Sequence, residues 1–190
     1  MRDVLAAGLL RARDWDAFEV PEGYRAEIIQ GQLDMTPGVS VAHGTAQGRL
    51  VAILSSAIPP THNVVLGVEW RLETRGYVAM APIPDLMVIR RGLEGTYIDH
   101  PPLLAVEVLS PSDANLLGNG MTRREGKLAD YGEHGLADFL EIDVTVSPPV
   151  AIRYELDGER LVDVDRVVGP EILRATRPFA YEFAPQALLD

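Results

Sequence analysis

Apolar residues along this chain follow two rhythms. Across residues 40–58, Ala46, Leu50, Ile53 with Leu54, and Ala57 with Ile58 recur at helical spacing, Ser40 is placed to cap the first turn, and Pro59-Pro60 stops the last. A second helix is expected from residue 120 or 121 to residue 134, with Gly135 as its stop, and a short one over 14–18, ended by Pro21 and Gly23. The other rhythm is that of strands, rich in β-branched and long apolar residues. It covers 25–29 and 33–36, turning at Gln30-Gly31, then 63–68, 69–74, 85–90 and 103–109, and after the second long helix 138–143, 150–156, 160–164 and 179–183. This order predicts an α/β (α+β) fold: a mixed sheet flanked by helices, with additional β segments.

Composition agrees with one domain over residues 1–190: 47% of residues are hydrophobic, and neither a repeat nor a low-complexity tract interrupts them. No stretch approaches the roughly 18–20 apolar residues of a membrane span. The apolar opening from Val4 to Leu10 is short, poorly preceded by positive charge and followed at once by Arg11 and Arg13, unlike a secretory signal. Without cysteine, disulfides and thiolate metal sites are excluded, and a cytoplasmic setting is expected.

Two carboxylates stand out against the apolar pattern. Asp85 opens Asp85-Leu86-Met87-Val88-Ile89, and Glu107 interrupts Leu103-Leu104-Ala105-Val106-Glu107-Val108-Leu109, whose apolar neighbours on both parities predict a strand covered on both faces. An ionised acid there is costly unless it is paired, hydrogen-bonded or metal-bound. Taken alone, Glu107 reads equally well as half of a buried ion pair that serves only the fold. Lys127, the only lysine among 17 lysines and arginines, adds weight to a site, because an ammonium is a compact point charge where a guanidinium is a planar fork. Two strand acids followed by a helix lysine suggest metal-dependent chemistry.

These residues carry a family resemblance. Pro84-Asp85-Leu86, the stretch Pro102 to Ser112 with its Glu107-Val108-Leu109-Ser110-Pro111-Ser112, and Lys127-Leu128-Ala129-Asp130-Tyr131 leading through Gly135-Leu136-Ala137-Asp138-Phe139 to Ile142-Asp143 resemble the Uma-type restriction endonucleases. That bacterial group lies within the PD-(D/E)XK nuclease superfamily. Glu27 within Glu27-Ile28-Ile29-Gln30-Gly31-Gln32-Leu33 resembles the family's glutamate-bearing hairpin, and His43 falls where its first long helix often has a histidine. The resemblance implies that Asp85 and Glu107 bind metal, that Lys127 is the catalytic lysine moved onto the next helix, and that Glu27 is a supporting acid. It further implies a nucleic-acid substrate, DNA first, and a homodimer. Departures from the family pattern are Ala26, Gln30 and Gln32 in the hairpin, Arg123 in place of a frequent aspartate, Leu140 in place of a frequent tryptophan, and a longer segment over 113–122.

The chemistry is intelligible in its own terms. Phosphodiester hydrolysis needs charge stabilisation at phosphorus and an activated water, which Mg²⁺ (or Mn²⁺) held by Asp85, Glu107 and the Val108 carbonyl would supply. Glu27 reads on spacing either as a further member of that shell or as a solvent-facing strand acid. The four histidines show no zinc spacing, and Ser110 and Ser112 lack the setting of a serine nucleophile. Gly118-Asn119-Gly120 reads as a surface insertion or a lid. A formal net charge of −11 opposes a polyphosphate partner, so binding must rely on a local patch, for which Arg71, Arg75, Arg90, Arg91, Arg123 and Arg124 are candidates. The same charge fits a second class of function, a nuclease fold that has lost cleavage and serves as a binding or regulatory module. The aromatic tail with Phe179, Tyr181 and Phe183 suggests a surface that a second copy would cover.

Overall fold

The computed structural model describes residues 9–190, so the apolar opening lies, apart from Leu9 and Leu10, outside the described residues. In chain order α1 (Ala12–Asp16) precedes the hairpin of β1 (Tyr24–Ile29) and β2 (Gln32–Pro37), followed by α2 (Val41–Ala57), β3 (His62–Val65), β4 (Glu69–Trp70), β5 (Leu72–Thr74) and β6 (Tyr77–Met80). Next come β7 (Leu86–Arg90), β8 (Tyr97–Ile98), β9 (Leu104–Leu109), α3 (Arg123–Glu133), β10 (Asp138–Asp143), β11 (Val150–Asp157), β12 (Arg160–Val168), β13 (Leu173–Ala175) and β14 (Tyr181–Phe183). Six of the strands form the central sheet in the order β12-β11-β10-β9-β7-β3. β9 and β10 run parallel and the remaining neighbours antiparallel, which makes the sheet mixed, as expected.

Each face of the sheet has its own cover. Ala46, Leu50 and Leu54 of α2 pack with Leu86, Val88, Val106, Leu140 and Ile142, whereas Tyr131 of α3 packs with Met87, Ala105, Phe139 and Ile152. β9 is therefore buried on both sides, which is why its sequence is apolar at both parities. The helix ends follow their local chemistry. Ser40 Oγ accepts the His43 N–H at 3.2 Å, while Thr122 and Glu125 exchange a capping box that satisfies amides at the start of α3. Gly135, at φ 81°, follows the last turn.

The structure corrects several expectations. The first helix begins two residues earlier than its pattern suggested, at Ala12. The single strand expected over 69–74 is broken at Arg71: β4 pairs in parallel with β8, whereas β5 pairs with β6, and both β6 and β8 were missed, as was β13. The glycine-rich segment Gly118-Asn119-Gly120 is exposed, as expected of a surface insertion, and it is anchored by its neighbours. Leu117 accepts from Gly120 N–H and donates to the Met121 carbonyl, and its buried side chain lies where a Cβ on Gly126 would collide with it. Phe179, Tyr181 and Phe183 are buried in the chain's own core beside α2, so they leave no apolar tail for a second copy to cover.

Gly132 in α3 tests this packing. Alanine has the higher helix propensity by about 1 kcal/mol, yet a Cβ here would lie 2.6 Å from the Glu159 carbonyl oxygen in the β11–β12 turn. Because that neighbour is backbone, Gly132→Ala is expected to destabilise the fold by about 1–3 kcal/mol in urea unfolding. A gain in stability would mean the helix can stand off from the hairpin.

Candidate active site

Glu107 lies on β9 facing α3, and Lys127 on that helix donates to its Oε1 at 2.8 Å. Tyr131, one turn further along, donates its hydroxyl to the same oxygen at 2.5 Å. Oε2 has no hydrogen-bond partner among the described residues, and Glu107 lines a cleft of about 300 Å³. Burial is the main cause that raises the Glu107 carboxyl, to about 7, with the nearby Asp85 charge adding to it and Lys127 opposing. Burial likewise lowers the Lys127 ammonium, an effect partly countered by Glu107.

Asp85 immediately precedes β7, beside the end of β9. Its Oδ2 accepts the Val108 N–H at 2.8 Å, while Oδ1 accepts from Gln47 at 2.9 Å and pairs with His43 Nε2 at 3.1 Å. Because Asp85 accepts, His43 carries a proton on Nε2. Burial opposes ionisation here, but the His43 hydrogen bond and charge, Lys127 and the Val108 amide together hold the Asp85 carboxyl below the usual range. His43 and Gln47, one helical turn apart on α2, thus reach the acid across the rim of the sheet.

Glu27 is 0% exposed, which overturns its reading as a solvent-facing acid. It accepts from Ile83 N–H at 2.7 Å, stands 3.0 Å from Lys127 Nζ through the same oxygen, and pairs with Arg123 through the other. The Arg123 guanidinium also donates to Asp34 at 2.7 Å and to Asp113 at 2.5 Å. Asp113 is held in turn by the N–H and hydroxyl of Ser110, so the serines near the cleft serve a charge hub. The hairpin departures acquire a reason here as well. Gln30 adopts φ 52° in the tight turn and donates both its N–H and its amide to Asp130 of α3, at 2.8 and 2.7 Å.

The structure brings together Glu27, Glu107 and Lys127 by direct contact, with Asp85 and Val108 lining the same cleft as Glu107. Lys127 itself is only 3% exposed and does not line that cleft; its ammonium contacts Glu107 and Glu27, with no hydrogen bond to Asp85. Sequence reasoning missed Glu141, which sits directly opposite Glu107 in the β9–β10 register and is gripped by Arg124 through two hydrogen bonds of 2.6 and 2.8 Å. It also missed the roles of Tyr131 and Asp113. Their signal was weak, since each becomes meaningful only through a partner distant in sequence or through the turn geometry. The expected arginine patch does not form at the cleft: Arg71, Arg123 and Arg124 are tied to acids, and Arg75, Arg90 and Arg91 are exposed residues that do not line it.

The donor set fits a hard divalent cation. Asp85 and Glu107 offer carboxylate oxygens, and both residues line an open cleft rather than a sealed core. Asp130, Glu133 and His134 also bring ligand atoms within 4.8 Å of one another on and just beyond α3, but none of them lines the cleft and Asp130 is already held by Gln30. No helix among the described residues is long and apolar enough to cross a membrane.

Comparison with known proteins follows the same line. The fold resembles a crystal structure described as "a putative nuclease belonging to DUF820" from Anabaena variabilis ATCC 29413, with a TM-score of 0.70 and 16% identity, over 95% of this chain and 97% of that one. No curated protein matches the sequence. The family model Uma2, described as "Putative restriction endonuclease", matches residues 12–184, nearly the whole chain, and the protein belongs to that family.

Proposed function

We propose that the chain is a cytoplasmic, single-domain, Mg²⁺-dependent endonuclease of the PD-(D/E)XK type that hydrolyses phosphodiester bonds of DNA. One observation carries this reading: Asp85 and Glu107, from neighbouring strands, meet at a cleft where Glu107 keeps one oxygen free while Lys127 and Tyr131 fix the other. Asp85, Glu107 and the Val108 carbonyl would hold the ion; Mn²⁺ suits the same oxygens. When bound, it supplies Lewis-acid stabilisation of phosphoryl charge and a more acidic water. The protein's own residues do the rest. His43 and Gln47 orient Asp85, Lys127 balances Glu107 and Glu27, and the buried surroundings strengthen each of these interactions. The homodimer belongs to the same proposal and rests on the family resemblance, without the aromatic tail as support.

Glu107→Gln is the discriminating variant. A glutamine carbonyl can still accept from Lys127 and Tyr131, whereas its amide removes the free metal-binding oxygen. In calorimetric titration with Mn²⁺ the wild type is expected to bind and Glu107→Gln to bind at least about tenfold more weakly while melting normally. Because the metal needs the carboxylate, wild-type affinity should rise as pH increases through about 7 and level off above it. Wild-type protein that binds neither Mn²⁺ nor Mg²⁺ and cuts no DNA would favour the binding-module reading, to which the net charge of −11 is suited.

A further inference from the structure

Among the described residues, the cations around the cleft are held by acids, Arg25 least tightly. Arg123 faces three acids, Lys127 two, Arg124 is bound to Glu141, and Arg71 is bound to Glu69 and Asp16. Arg25 is held loosely: its side chain is 29% exposed, it donates to the Ile83 carbonyl at 3.4 Å, and it stands 3.7 Å from Asp85. It lines the acid cleft and also a second groove of about 480 Å³. A guanidinium at that junction is placed to bind a phosphate shared by two subsites.

The second groove is aromatic and rigidly built. Phe18 stacks on Trp15, ring centroids 5.9 Å apart, and Glu69 accepts the Trp15 indole N–H at 3.2 Å. Arg71 holds Glu69 at 2.5 Å and Asp16 at 2.6 Å, with its guanidinium 4.1 Å over the Tyr97 ring. This chain of contacts locks α1 to β4 and β8, so the groove wall is set before any ligand arrives. Tyr24 lines the same groove yet is 53% exposed. A rigid aromatic pocket with one ring left open to water matches the face of a nucleobase better than it matches a core.

Charge narrows the ligand further. Double-stranded DNA carries one negative charge per about 1.7 Å, and a protein with a net charge of −11 gains little by tracking along it. Stacking of an unpaired base adds about 1–3 kcal/mol that does not come from phosphate contacts. We propose that this groove takes the base of an unpaired nucleotide whose phosphate is held by Arg25, so that the preferred substrate is single-stranded; the inference rests on the nuclease reading above.

Binding of fluorescein-labelled single-stranded DNA, single-stranded RNA and duplex DNA, measured in Ca²⁺, tests the groove, with cleavage in Mn²⁺ recorded separately. The wild type should bind at least one single strand more tightly than duplex. Tyr24→Ala should weaken that binding by about five- to a hundredfold, and Tyr24→Phe, which keeps the ring, should restore it. Tyr24 is a surface residue, so melting temperature serves as a simple control for fold. Equal binding of duplex and single strand, or Tyr24→Ala binding like wild type, would overturn the assignment. Single-strand binding of the expected kind without any cleavage would support the groove and count against the nuclease reading alone.

Discussion

Arg123→Met lowers the stability of the protein by about 3–5 kcal/mol at neutral pH, the scale expected when one partner of a buried ionic cluster is removed. The guanidinium is buried and contacts Glu27, Asp34 and Asp113, so its loss strands three acids at once. Burial lowers the Arg123 pKa to about 10, which still leaves it charged at neutral pH. Burial already raises the Asp34 carboxyl, and without the arginine it loses a favourable charge and is pushed further in the same direction. A raised acid is comfortable in the fold when protonated and costs stability as pH rises and it ionises. The deficit of the variant should therefore shrink as pH falls, and urea midpoints compared at neutral and mildly acidic pH would show it. A deficit under 1 kcal/mol at neutral pH would mean that water or a rearrangement compensates the acids.

Lys127→Arg is the second large effect, and burial changes what to expect of it. The resemblance implies an ammonium acting in catalysis, but Lys127 lies behind Glu107, hydrogen-bonded to it and 3.0 Å from Glu27. A guanidinium is bulkier and aims its donors differently, so it displaces the Glu107 carboxylate from the cleft. Cleavage and Mn²⁺ affinity are expected to fall together, each by about ten- to a hundredfold, in a protein that still melts cooperatively. Loss of cleavage with metal affinity intact would instead place the ammonium at the phosphoryl group itself.

The convergence of Glu107 and Lys127 was legible because the local physics leaves few alternatives. An acid inside a doubly covered strand needs a partner, and the chain's lone ammonium follows on the next helix. The first long helix was legible because periodicity, cap and stop agreed, whereas the second was marked by its composition and the Gly135 stop and begins at Arg123, after a Thr122 cap the sequence reading did not single out. Arg123 was not. Its acids Glu27 and Asp34 lie 96 and 89 residues away, and in sequence it reads as a departure from a frequent aspartate. Glu141 was hidden because opposition to Glu107 is a property of parallel register, which no single strand encodes. β8 and β4, two residues each, are too short to show a period, and the break at Arg71 comes from tertiary hydrogen bonds to Asp16 and Ile98 rather than from a turn residue.

The sources of opposite charge at the site are distributed unequally. Glu27, Asp34, Glu107 and Glu141 arrive on four different strands and Asp113 on the turn after β9, whereas Arg123, Arg124 and Lys127 all arrive on α3. Until that helix docks, the nascent sheet is a bowl of mutually repelling carboxylates that can attract cations but gives them no fixed seat. Docking brings the cations to the acids and sets the geometry of the bowl in one event. The arrangement of the site therefore depends on a single docking event, and a chain stalled before that step carries its acids without the cations that position them.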